Sequence, residues 1–133
     1  MCGAVRFDAQ DVPTSFNACA CDMCRRLTGS CFFSVWMPLD KLKIDGTEHI
    51  NTFDSSDWAK RAFCGNCGSV LWYQPVEGDG HVGLSLGLFD APGNMEFGAQ
   101  YFCDKPICTT VAQAPDTAMT EAETIAYFTG RAS

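Results

Sequence analysis

No apolar run in this 133-residue chain approaches the ~20 residues needed to cross a bilayer, and no charged leader precedes a hydrophobic stretch. Internal repeats, low-complexity segments and linkers are also missing, which argues against a solenoid, a disordered tail protein or a two-domain enzyme. Basic residues are few: nine Lys and Arg stand against sixteen Asp and Glu, and the formal charge is -7. They are scattered, so neither nucleic acid nor an anionic membrane is an expected partner. Histidine is limited to His49 and His81, neither of them inside a cysteine motif, and a structural place on a strand is the plainer reading of each than a proton shuttle. The expectation is a single domain over residues 1–133, cytoplasmic, with 47% hydrophobic residues supplying one core.

Strand-like runs fill most of the chain. AVRFDA alternates from Ala4 to Ala9, CFFSVWM is a buried-looking run from Cys31 to Met37, and HINTF, AKRAFC, SVLWYQ (Ser69 to Gln74), HVGLSLG (His81 to Gly87) and FGAQYF (Phe97 to Phe102) follow. Turn chemistry at DGTE, EGDG and APGN separates these runs, and the pattern is all-β. Two helical segments interrupt it. Asp22 is placed to cap a short turn, MCRRLTG, that Gly29 closes, and Thr120 with Glu123 forms a capping box ahead of EAETIAYF.

Cysteine, in contrast, is abundant. The count of nine is odd, and the CxC and CxxC spacings are too tight for structural disulfides, so in a reducing compartment they read as metal ligands. In CACDMC, Cys19 and Cys21 share one side if they lie on a strand, and Cys24 falls in the first turn of the helix. There, free backbone N–H groups and the nearby Arg25 and Arg26 favour its thiolate. Zinc is the default ion for such donors. Three local ligands leave one position of a tetrahedral ion open, the mark of a catalytic site; alternatively Cys31 swings in and closes it. In FCGNCG, Cys64 and Cys67 form a knuckle whose glycines allow a tight turn, and Cys2 is the natural third ligand, closing a loop of roughly sixty residues. An iron–sulfur cluster is the rival, although local residues supply four cysteines at neither site. Cys103 and Cys108 stand apart and read as small buried hydrophobes.

Taken in order, CGAVRF, CACDMCRRLTGS, FCGNCGSVLWY and SLGLFDAPG resemble the glutathione-dependent formaldehyde-activating enzyme family, which includes the centromere protein V group. The resemblance implies a β-tent fold of antiparallel sheets pinned by a structural zinc. It assigns Cys2, Cys64 and Cys67 to that zinc, and Cys19, Cys21 and Cys24 to the site regarded as catalytic. The implied reaction is carbon–sulfur bond formation or cleavage, glutathione adding to formaldehyde to give S-(hydroxymethyl)glutathione. The developing alkoxide then needs a donor such as Arg25, Arg26 or a backbone N–H. The first cysteine of the family's opening CxCG falls before Met1, which leaves the expectation of a truncated amino terminus and an incomplete structural site.

On that reading Trp36, Trp58, Trp72 and Tyr73 belong to core or rim rather than to a glutathione platform, and Lys60 and Arg61 to solvated surface rather than to its carboxylates. Two other functions compete. One is a noncatalytic zinc-stabilised binding module, disfavoured by the acidic charge; the other is a thiol redox or metal-buffering protein. The expected partner is a small-molecule thiol, glutathione.

Overall fold

In the computed structural model, which describes residues 1–105, 107 and 120–129, nine strands form two sheets. The strands are β1 (Arg6–Ala9), β2 (Ser15–Cys19), β3 (Phe32–Pro38), β4 (Leu42–Asp45), β5 (Ile50–Ser56), β6 (Ala59–Cys64), β7 (Val70–Pro75), β8 (His81–Ser85) and β9 (Glu96–Tyr101). The all-β expectation holds. β1 and β4 pair alone, while the large sheet runs β5-β6-β7-β8-β3-β2-β9. Its pairs are antiparallel except the last: β2 and β9 run parallel, from Ser15 opposite Glu96 to Cys19 opposite Tyr101. This departs from the purely antiparallel expectation. A parallel pair needs a long crossover, and the six strands between β2 and β9 in the chain provide one.

Alternation gives the large sheet two different faces. One carries Met37, Ala62, Trp72, Val82 and Leu84, which cluster as the core with Leu42 and with Leu71, the extra residue of a bulge where β7 pairs with β6, and are covered by Val5, Phe7, Ala9 and Ile44 of the β1–β4 side. Burying each of the large members contributes ~1.5–3 kcal/mol. Trp72 is therefore core, as expected. The other face is traced by cross-strand neighbours: Phe53 lies opposite Arg61, Arg61 opposite Tyr73, Tyr73 opposite Gly83, and Gly83 opposite Trp36. Cys19 joins this face because its β3 partner is Phe32, four residues before Trp36 on the same side.

The short helix α1 (Asp22–Thr28) ends on Gly29 as expected, its N–H donating to Arg25 O at 2.8 Å. Its cap differs from the expectation. Cys21, not Asp22, is the N-cap, with Sγ accepting from Cys24 N–H at 3.4 Å; Asp22 instead pairs with Arg25 at 3.1 Å. A sulfur already in place leaves the aspartate free to complement the first turn. The second helix, α2 (Glu121–Thr129), has the expected reciprocal box: Thr120 N–H donates to Glu123 Oε2 at 2.7 Å, and Glu123 N–H donates to Thr120 Oγ1 at 3.3 Å.

Candidate metal centres

The end of β2 supplies Cys19, the turn into α1 supplies Cys21, and the first turn of α1 supplies Cys24; their three Sγ atoms lie within 4.8 Å of one another. Cys19 and Cys21 do not share a strand. β2 stops at Cys19, Ala20 is held by a bond from its N–H to Tyr101 O at 3.1 Å, and the chain turns so that Cys21 caps the helix. Cys31 is outside this group of sulfurs: it is buried and packs with Ala18 and Ala20.

Without a metal the three sulfurs share protons unequally. The Cys19 thiol is lowered to about 5, chiefly because Cys24 donates to its thiolate, and Cys24 is pushed far up by that same bond and by burial. This reverses the expectation of a thiolate at Cys24 favoured by Arg25 and Arg26. Arg25 is committed to Asp22 and both arginines are exposed.

The cation that does reach the cluster is Arg61, expected at the surface and in fact only 5% exposed. Its Nη2 donates toward Cys24 Sγ at 3.6 Å and its Nε toward Ser55 Oγ at 3.4 Å. The guanidinium lies 4.7 Å from the centroid of the Tyr73 ring and 5.9 Å from that of Phe32. Lys60 and Arg61 look alike in AKRAFC, but a two-residue period sends them to opposite faces, and that parity is the sequence signal that distinguishes them.

The second cluster draws Cys64 from the end of β6, Cys67 from the turn that follows and Cys2 from the amino-terminal segment, again with three Sγ atoms within 4.8 Å. The knuckle is closed by Gly68 N–H donating to Cys64 O at 2.7 Å, and Gly68 has φ +76°, the left-handed region that glycine enters without a Cβ clash. Ser69, which the sequence reading passed over, sets its Oγ 3.2 Å from Cys67 Sγ; that contact heads the interactions that lower Cys67 to about 6. A cavity of about 550 Å³ adjoins this cluster, bordered by Arg6, Asp8, Asp45, Leu71 and Phe89.

Both donor sets suit a thiophilic ion. Two sulfurs bound tetrahedrally at ~2.3 Å stand about 3.8 Å apart. Cys2 Sγ and Cys64 Sγ are 3.8 Å apart. Alternation places the two clusters on opposite faces of the large sheet, since Cys64 follows Arg61 by three residues along β6.

The remaining candidates separate clearly. Cys103 is exposed, against the expectation of burial, and Cys108 lies outside the described residues. Trp58 sits in the β5–β6 turn at 62% exposure rather than on a strand, while Trp36 stacks on His81 at 5.8 Å. His81 Nδ1 lies 2.7 Å from Asp79 Oδ1, and the His49 side chain sits beside Glu48 while its carbonyl accepts from Gly65 N–H of the Cys64–Cys67 knuckle at 2.7 Å.

A family described as glutathione-dependent formaldehyde-activating enzyme matches residues 1–105. An uncharacterized lyase of Schizosaccharomyces pombe is 29% identical over 109 residues, 81% of this chain and 79% of its own. A Halomonas elongata protein named for glutathione-dependent formaldehyde activation is 33% identical over 79 residues, 53% of this chain and 50% of its own. The crystal structure of a Rhodobacter sphaeroides protein superposes with a TM-score of 0.60 at 22% identity, covering 74% of this chain and 94% of that one, which is a likeness of fold. The family match, which spans residues 1–105 and so both three-cysteine groups, leads to one assignment: the chain belongs to the glutathione-dependent formaldehyde-activating enzyme family.

Proposed function

We propose that the chain is a zinc-dependent carbon–sulfur lyase of glutathione adducts, nominally joining glutathione to formaldehyde as S-(hydroxymethyl)glutathione. Cys19, Cys21 and Cys24 hold the working zinc and Cys2, Cys64 and Cys67 a second, structural one. The observation that carries this reading is the first cluster, in which the three sulfurs of Cys19, Cys21 and Cys24 converge within 4.8 Å of one another. Zinc bound there supplies a position at which an added sulfur is held as thiolate at neutral pH. The chain's own contribution is orientation. Cys24 N–H in the first turn of α1 donates to Cys21 Sγ, the end of β2 supplies Cys19, and Arg61 places positive charge beside the sulfurs. We take residues 1–133 as one functional unit in the cytoplasm, where glutathione and reduced thiols coexist.

A second reading has one observation in its favour, the cavity beside Cys2, Cys64 and Cys67, which would let that cluster receive the small molecule. Exchange of formaldehyde with its glutathione adduct, followed by NMR, tests both. Acceleration lost in Cys21→Ser and kept in Cys67→Ser supports the first reading, and the reverse pattern supports the second. No acceleration above the spontaneous rate sinks the formaldehyde assignment. A zinc stoichiometry of zero with fully titratable thiols would point to redox or metal-buffering chemistry.

A further inference from the structure

Arg61 is the one charged side chain in the buried set among the described residues, and it has no carboxylate: none of the ion pairs there includes it. Its Nη1 is sealed from solvent and finds no acceptor. A guanidinium cannot shed its proton to escape burial, so its charge must be met by something. An aromatic face at 4.7 Å and a serine hydroxyl meet it in part; the remaining contact is Cys24 Sγ at 3.6 Å. Three neutral thiols would leave the cation almost uncompensated, whereas a cluster with excess negative charge completes the pairing. The second cluster has the same three donors and no buried cation, since the arginine nearest its cavity, Arg6, is exposed.

The difference has a chemical consequence. A divalent ion ringed by three thiolates already carries one excess negative charge, and a fourth thiolate makes it two. Repulsion then favours a neutral fourth ligand unless a fixed cation in a low-dielectric surround offsets it. We propose that Arg61 is the counter-ion of the Cys19–Cys21–Cys24 centre and the positioning residue that makes this centre accept an anionic sulfur ligand, a thiolate, in preference to a neutral one. The proposal rests on the reading of these cysteines as a metal site, and it distinguishes the two centres by charge environment rather than by ligand count. When the thiol binds, its proton leaves to solvent and it displaces a neutral ligand; Arg61 takes no part in bond making and acts through Cys24.

Cobalt(II)-loaded protein tests it, with Cys21→Ser as the spectral reference for the second centre. The probes are 2-mercaptoethanol, a thiol without carboxylates, and imidazole as the neutral ligand, each titrated through the thiolate-to-cobalt bands at mildly alkaline pH. Relative to wild type, Arg61→Gln is expected to weaken thiol binding roughly 10- to 100-fold, the range for a lost hydrogen bond to a charged group, while imidazole binding stays within about twofold. Arg61→Lys keeps the charge and is expected to stay within about tenfold of wild type for the thiol. Cobalt uptake at Cys2, Cys64 and Cys67 reports that each variant is folded. If the glutamine variant fails that control, the lysine variant decides alone, a loss beyond about tenfold counting against the proposal. Equal losses in the two variants, or a glutamine variant within about twofold of wild type, overturn it. Wild-type protein that takes up cobalt at one centre only overturns the metal-site reading as well; normal uptake with indifferent Arg61 variants overturns this inference alone.

Discussion

Gly46→Ala probes how the amino-terminal segment is held. Gly46 follows β4 with φ +79°, and a Cβ built there runs into the carbonyl oxygen of Ala4 and close to its carbonyl carbon. Both partners are backbone, so no rotamer change relieves the overlap. The left-handed conformation costs an L-residue ~1–2 kcal/mol by itself. The remaining clash is relieved most simply by moving Ala4 away. Ala4 N–H donates to Cys2 Sγ at 3.5 Å, so displacing Ala4 carries Cys2 away from Cys64 and Cys67. The expected outcome is a destabilisation of about 2–4 kcal/mol, or a fall in Tm of roughly 10 °C for a chain of this size. It should come with at least about a tenfold loss of metal affinity at the Cys2 centre and no change at the Cys19 centre, because that centre faces the other side of the sheet. Calorimetry with competition against a chromophoric chelator, which resolves two binding steps, measures both quantities. Wild-type affinity at both centres would refute the reasoning. So would parallel loss at both, which would mean that Gly46 supports the whole fold rather than one ligand.

Four further outcomes follow. Leu84→Ala opens the core beneath Trp72 and should cost ~2–5 kcal/mol in denaturant titration, whereas a loss under about 1 kcal/mol would mean that the site collapses to fill the gap. In metal-free protein the lowered Cys19 thiol stays a thiolate above its value of about 5, so its alkylation rate should hold nearly level from neutral pH downward and fall through that value. Cys24, with its proton held far up, should remain unmodified across the same range; mass spectrometry of the two peptides checks the order. Glu123 is lowered by accepting from the Thr120 N–H and hydroxyl. A depressed folded value contributes stability that is present above the ordinary carboxylate value and is lost as pH falls through the depressed one, so the protection of α2 amides, taken relative to the intrinsic exchange rate at each pH, should fall in acid while that of the sheet amides holds. Complete chelation should lower the Tm by at least roughly 10 °C, because structural zinc sites contribute energy on the scale of domain stability; an unchanged melt would contradict the pinning role of Cys2, Cys64 and Cys67.

β3 and β5 to β9 were legible because each is a run of apolar and β-branched residues bounded by turn chemistry, although β5 and β9, at the two edges of the large sheet, bury no residue. β2 was not, since SFNAC is short and half polar, and its strand character comes from being flanked by β3 and β9. β4 hid for a similar reason: LKID has four residues and is defined by its pairing with β1. The parallel β2–β9 pair depends on where the chain returns after six intervening strands, a long-range outcome that no local window contains. At the centres, spacing singled out Cys19, Cys21, Cys24, Cys64 and Cys67, which come together in two groups among the described residues, while Cys2 joined the second group from outside any such spacing. Spacing did not identify the surroundings that differentiate them. Arg61 and Ser69 belong to no cysteine spacing, and each acquires its contact to sulfur through side-chain direction rather than through sequence distance.

β6 gives this arrangement its sharpest consequence. It sends Arg61 to one centre and, three residues later, Cys64 to the other, an odd interval that alternation converts into opposite faces. A slip of one residue against β5 would point the guanidinium into the hydrocarbon core and the thiol away from Cys2 and Cys67. Neither centre tolerates that alone, so correct pairing of one hairpin, Ile50–Ser56 with Ala59–Cys64, is verified twice over by chemistry on either side of it. The strand acts as a proofreader: an alternative register forfeits both cysteine groups at once, so a metal ion held by either would select the native pairing rather than merely stabilise it afterwards.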